Sequence, residues 1–229
     1  MGNRMTASAV GMLVMVCAAL TGCVPVSARL TDSPPMTGVL LDADTGAGVA
    51  RATVVALPRD VPPGPETVSD SAGRFALPER DRRHLFLAMP GAALDAVPVH
   101  ARHRAGDGSG ERYGYGVARK WLRQRSPAPA VTVPIVMLPY TGPVVLSDAC
   151  RLDGAEGYVA RLLEVLPALR EQAWFHDRFV DQPDVGRDWY EGMARLTDQA
   201  RRACADRQAF APLEAALEDF AGDLFRVGD

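Results

Sequence analysis

The sequence predicts an α+β chain, with an antiparallel β-sandwich of seven or so strands followed by a three-helix carboxy-terminal unit. Two observations carry this expectation. Fifteen of the eighteen prolines precede Cys150, and short β-type runs separated by turn residues fill that half. After residues 140–153 the apolar period changes from two to about three and a half, the spacing of amphipathic helices. Composition agrees with a globular protein, at 48% hydrophobic and 23% charged residues. The net charge of −3 offers no dominant cationic surface, so no nucleic-acid partner is expected.

The amino terminus reads as an address. Arg4 supplies a positive n-region and Ala7 to Leu20 a largely apolar stretch, too short to span a bilayer. Leu20-Thr21-Gly22-Cys23 then resembles the lipobox of bacterial lipoproteins, a branched residue and two small residues before cysteine. That resemblance implies diacylation of the Cys23 thiol, cleavage before it and acylation of the new amine. An ordinary signal peptide with a chance cysteine is the alternative. Met1 to Thr6 also fits a myristoylation pattern, which the secretory segment behind it makes a chance match. Several acyl chains anchor far more firmly than one, since each buried methylene contributes about 0.8 kcal/mol. Val24 in place of an aspartate suggests the outer membrane, with the protein facing the periplasm.

The expected organisation is a signal peptide over 1–22, a lipidated tether over 23–36, a β-sandwich over 37–140 and a helical unit over 150–229. Val24 to Met36 lacks periodicity and contains Pro34-Pro35, so it is expected to be extended. Gly38 to Asp42 reads as a strand, Asp44-Thr45-Gly46 as a turn and Ala52 to Leu57 as a second strand. A proline-rich loop leads to Thr67–Asp70, the turn Ser71-Ala72-Gly73, then Arg74–Leu77. His84–Ala88, Val97–Ala101, Tyr113–Ala118 and Val131–Leu138 are further strand candidates. Pro98 and Pro134 assign two of these to edges or bulges. The run Glu79 to His84 reads as a solvated turn of mixed sign, and Gly106 to Gly110 as a flexible loop.

Gly38-Val39-Leu40-Leu41-Asp42, Thr45-Gly46, Val49, Ala52, Val54 and Thr67 to Leu77 resemble the carboxypeptidase regulatory-like domain, which has a transthyretin-like β-sandwich. The resemblance is strongest over residues 37–90 and extends towards Leu138. It gives each position a physical role, with Gly46 taking a positive φ, Asp70 and Gly73 closing the second turn, and Phe75 pointing inward. Val49 departs from the proline many members carry there, and the segment from Ala101 to Ser126 is longer and more polar than that family leads one to expect. The resemblance implies a non-catalytic module that braces an enzyme, extends a surface protein, or binds protein or carbohydrate.

Three apolar stripes define the helices. Val159, Leu162, Leu163, Leu166 and Leu169 make the first, with Pro167 a candidate kink. Trp189, Met193, Leu196, Ala200 and Ala203 make the second. Leu213, Leu217, Phe220 and Leu224 make the third, with Asp206 as its cap. Once Cys17 leaves with the signal and Cys23 carries lipid, Cys150 and Cys204 remain. In an extracytoplasmic compartment such a pair is most simply a disulfide, the alternative being two buried thiols.

No catalytic or metal motif emerges. His100 and His103 point to opposite faces of a strand at their spacing, and Asp42 to Gly46 lacks the register of a calcium loop. No nucleophile elbow is present. A Cys150–His176 nucleophile pair is the less economical account of that cysteine. The distinctive cluster is Trp174-Phe175-His176-Asp177-Arg178 followed by Trp189-Tyr190-Glu191. Trp174, His176, Trp189 and Tyr190 suit a protein interface or carbohydrate platform, while the plainer reading makes Trp174, Phe175 and Trp189 filling between helices and sandwich. The expected role is a lipid-anchored envelope protein that binds or supports and does not catalyse, without cofactor, with an envelope protein or a glycan as partner. An inhibitor or immunity-type lipoprotein against an envelope-acting toxin or hydrolase is the second reading. An envelope enzyme with an unrecognised site is the third.

Overall fold

The computed structural model describes residues 24–58, 62–88, 94–104, 110–121 and 124–226. The signal region, Cys23 and most of the Gly106 to Gly110 loop lie outside them. Twelve strands among the described residues precede the helices: β1 Val24–Ser33, β2 Met36–Asp42, β3 Thr53–Ala56, β4 Glu66–Val68, β5 Arg74–Leu77, β6 Arg80–Ala88, β7 Leu94–Arg104, β8 Glu111–Trp121, β9 Val131–Thr132, β10 Ile135–Pro139, β11 Val144–Ser147 and β12 Cys150–Leu152. They lead into α1 Gly154–Arg170, a short α2 Ala173–Phe175 that continues as one π-helical turn His176–Val180, α3 Pro183–Ala203 and α4 Arg207–Arg226.

Seven strands form one curled sheet, a half-barrel, in the order β4-β3-β7-β8-β10-β2-β5, with β9 beside β2. The curl has a local cause. β8 and β10 share only the pairs Tyr113–Leu138 and Arg112–Pro139, so the two wings can fold towards each other across this seam. Gly114 and Gly116 allow the approach. A methyl group at either would stand 2.6 Å from Ile135 Cγ2 or Val133 Cγ1, closer than packed carbon atoms come.

This differs from an antiparallel sandwich. β2 runs parallel to both β10 and β9, because the chain returns beside β2 in the direction it first took. Alternation reports which face is buried and is blind to strand direction. The expected strand Val131–Leu138 is divided at Val133-Pro134 into β9 and β10. Pro98 sits within a central strand, between β3 and β8. It is tolerated because the β3 ladder ends at the Ala56–Val99 pair; the Pro98 carbonyl still accepts from Leu57 N–H, and the missing donor would point past that end.

The turns form as expected. Asp42 Oδ1 accepts from the backbone N–H groups of Asp44 and Thr45 at 3.1 and 3.0 Å, and Gly46 has φ +69°. Asp70 Oδ1 accepts from Ala72 and Arg74 N–H at 2.9 and 2.8 Å, Gly73 has φ +75°, and Phe75 is buried.

Two apolar cores lie on opposite sides of the sheet. Leu40, Val54, Phe75, Val99, Ile135 and Met137 fill the hollow of the curl. Leu41, Tyr113, Val136 and Leu138 point the other way and join Leu162, Leu166, Trp189, Met193 and Phe220 of the helices in one cluster. β10 is therefore buried on both faces and nearly continuously apolar, as a covered central strand must be. All five residues of the first helical stripe and all four of the third are buried. Ala203 of the second is exposed. Pro167 faces solvent in the last turn of α1, which runs unbroken to Arg170. Asp206 Oδ1 accepts from Gln208 and Ala209 N–H at 3.1 and 3.2 Å, a helix N-cap.

The Cys150–Cys204 disulfide joins β12 to the residue after α3. Arg119 of β8 pairs with Asp188 and Glu191 of α3, a second tie between sheet and helices.

The segment expected as a tether is extended, as anticipated, and it is also paired. β1 forms an antiparallel ribbon with β6, from Val24 opposite Ala88 to Ser33 opposite Arg80. The charge run Glu79 to His84 consequently lies largely on β6 and is not a turn. Its acids and bases pair across the ribbon, Arg82 Nε with Asp32 Oδ2 at 2.8 Å and His84 Nε2 with Asp32 Oδ1 at 3.2 Å. The ribbon is held by backbone groups that every residue carries, so neither strand needs the apolar alternation of a half-buried one.

Candidate binding site

The aromatic cluster read from the sequence is divided by the fold. Trp189 and Phe175 are buried, with ring centroids 5.7 Å apart, and Phe179 and Phe220 close the same nest at 4.8 and 5.6 Å from Phe175. Tyr190 is half-buried and meets Phe225 edge-on at 6.0 Å. His176 is exposed. Trp174 is half-buried over the β2–β3 turn, where Gly46 leaves the room its indole occupies. Its Nε1 donates to Gln172 Oε1 at 2.7 Å.

Beside Trp174 the sheet and α1 leave a cleft of about 320 Å³. Ala43, Leu138, Val165 and Leu169 give it an apolar floor, and Asp44, Arg161 and Gln172 stand at its margin. The margin is held by its own contacts. Arg112 pairs with Asp42 and, through Nη2 at 3.3 Å, with Asp44 Oδ2; Arg161 reaches Glu164 at 3.7 Å. An apolar floor with a few oriented polar groups suits a small amphiphilic ligand or a single side chain of a partner. A second groove of about 530 Å³ runs between the β7–β8 pair and α3, where Pro98 and Val117 face Arg195, Gln199 and Arg202.

Next to the cleft, four of the five tyrosines gather with a histidine. The His100 ring stacks on Tyr115, with centroids 4.5 Å apart and planes 16° from parallel. Tyr113 meets Tyr140, Tyr158 and Tyr115 edge-on at 5.2, 5.6 and 6.4 Å. Tyr158 donates its hydroxyl proton to the Val136 carbonyl at 2.7 Å. Burial raises the Tyr158 and Tyr115 hydroxyls above their ordinary value and pushes Tyr113 up to about 12. At neutral pH these groups are donors and not bases. Burial, and then the Arg102 guanidinium, lower the His100 pKa, so the ring is neutral there.

Strand alternation made the shared face of Tyr113 and Tyr115 readable in advance. Tyr140 and Tyr158 join them only through the fold, as do Asp44 and Arg161 at the cleft. His100 and His103 do not gather ligands: among the described residues, no group of three His, Cys, Asp or Glu side chains could hold a metal ion. Cys150 is bonded to Cys204. No protein-family model matches this chain, and no curated protein is significantly similar to it.

Proposed function

We propose that this protein is a lipid-anchored extracytoplasmic lipoprotein of a bacterial envelope, facing the periplasm, whose half-barrel and helices form a non-catalytic binding or bracing module. One observation carries the compartment. The Cys150–Cys204 disulfide belongs to oxidising surroundings, which is where Leu20-Thr21-Gly22-Cys23 would send the chain. The carboxypeptidase regulatory-like resemblance is the finer reading of the β half. It is supported by Gly46, Asp70, Gly73 and Phe75 each behaving as that resemblance implies. The cleft beside Trp174 is the docking point for an envelope protein or glycan.

The inhibitor or immunity-type reading is supported by a charge asymmetry. Residues 150–229 contain 16 Asp and Glu against 10 Arg, whereas residues 24–149 contain 12 acids against 14 bases. An acidic helical face suits a basic partner.

The test is maturation under a globomycin-type block of lipoprotein signal peptidase, followed by crosslinking in the native envelope. An uncleaved precursor under the block, with palmitate labelling lost on Cys23→Ala, is the expected result. Normal maturation under the block removes the anchor. Capture of one reproducible envelope protein supports the binding module, and capture of a basic toxin or hydrolase favours the second reading.

A further inference from the structure

The β1–β6 ribbon extends from the body of the protein, and its free end begins at Val24, the residue that follows Cys23 in sequence. Its root is fastened: Thr31 N–H donates to the Gln124 carbonyl at 2.8 Å, Ser126 N–H to the Arg29 carbonyl at 3.3 Å, and Leu30 bridges to Arg125. Beyond that root the two strands pack chiefly on each other among the described elements. The free end is composed unlike the rest. Its pairs are Val24 with Ala88, Pro25 with Leu87, Val26 with Phe86 and Ser27 with Leu85, and none of these residues carries a charge. Leu85, in the last of these pairs, is 78% exposed.

Immediately behind this end comes a cationic band. Arg29 stands directly opposite Arg83, and both are exposed. Like charges in such a pair repel. Asp81 approaches Arg29 only to 3.9 Å, while Asp32 is already taken by Arg82 and His84. An anion between Arg29 and Arg83 would relieve the repulsion. At the root, Trp121 is 54% exposed, and its carbonyl accepts from Gln124 N–H at 3.0 Å. An exposed tryptophan at this level suits the headgroup layer of a membrane.

From this order we infer that the β1–β6 ribbon is a membrane-contacting prong. Its four terminal pairs enter the headgroup boundary of the bilayer that holds the Cys23 lipid, and Arg29 and Arg83 take lipid phosphates between them. From first to last the four pairs span about 10 Å at about 3.3 Å per residue, the depth of an interfacial element. The inference rests on the lipoprotein reading for its starting point. It adds that the anchor is a stiff, oriented contact and not a loose leash, so the helices and the cleft are held at a set angle to the membrane.

The test uses the full chain, purified from membranes and reconstituted in vesicles of phosphatidylethanolamine and phosphatidylglycerol whose acyl chains carry a nitroxide. With Cys23 acylated and Cys150 bonded to Cys204, Leu85→Cys adds the only free thiol, which takes an environment-sensitive fluorophore. Val145→Cys, exposed on β11, is the control. The expected result is a blue shift and loss of about half the fluorescence or more at position 85, with none at 145. Adding Arg29→Glu and Arg83→Glu should abolish most of that quenching at unchanged melting temperature. Mass spectrometry reads Cys23 acylation separately. An acylated chain with no quenching at 85 overturns the prong and leaves the anchor standing. An unacylated chain removes the anchor; Leu85→Cys is then labelled on a Cys17→Ser, Cys23→Ser background and mixed with the same vesicles, where quenching still supports the prong and its absence overturns it. Protection of position 85 by a second copy, without lipid quenching, also overturns it.

Discussion

Removing the disulfide gives a loss that can be worked out from the fold. Cys150 and Cys204 lie 54 positions apart in sequence, with Cα atoms 4.7 Å from each other. The closed loop contains the whole of α1, the π-helical turn and α3. On the chain-entropy account, a loop of this length restricts the unfolded chain by roughly 4 kcal/mol at 25 °C. Cys150→Ala with Cys204→Ala removes the link, and because both positions are buried alanine leaves no polar group unpaired. With a urea dependence of about 2–3 kcal/mol per molar, the midpoint should fall by about 1.5–2 M. The melting temperature should fall by about 8–16 °C. The released chain is also more expanded when unfolded, so the denaturant slope should rise. Urea unfolding of the oxidised chain and the double variant, followed by circular dichroism, reads both quantities. Equal midpoints would refute the reasoning. A lowered midpoint at an unchanged slope would place the loss in the native state instead.

Trp189→Ala should lose about 3–5 kcal/mol, as for large aromatics removed from a core, while Trp189→Phe should lose much less. The indole Nε1 has no hydrogen-bond partner among the described residues, so phenylalanine forfeits only volume; thermal unfolding compares the two. His100 supplies a pH dependence. Its folded pKa lies below the ordinary histidine value, so the unfolded chain takes up the proton first, and this contribution is complete above about pH 6.5. It is lost as pH falls from there towards the folded pKa. His100→Phe keeps a ring on Tyr115 and should flatten that part of the profile, measured as melting temperature from about pH 7 downwards; an identical profile would remove His100 as its source.

The helices were the most legible part of the fold because each has one wet face and one dry face, which imposes a period on the sequence. Leu162, Leu166, Phe220 and Leu224 could be placed inside from spacing alone. The strands of the half-barrel were legible as strands, and the Asp42 and Asp70 turns as turns, since those depend on local hydrogen bonding. The β1–β6 ribbon was not. Residues 24–33 and 80–88 pair through backbone groups that every residue carries, and such pairing by itself imposes no side-chain pattern. Pro98 misled for a related reason, because whether a missing N–H matters depends on where the neighbouring strand stops.

By itself the sequence determined the local grammar: two regions of different period, turns, caps and the choice of Cys150 and Cys204 as partners. Each of these is a short-range property, or a count. Only the tertiary structure decided that the strands make one curled sheet with parallel pairs, that Trp189 lies in a core, and that Asp44 and Arg161 line one cleft. It also decided that residues 24–33 pair with residues 80–88 as a ribbon. These depend on which distant segments share an edge or a face, and that choice is made by the whole chain competing for burial.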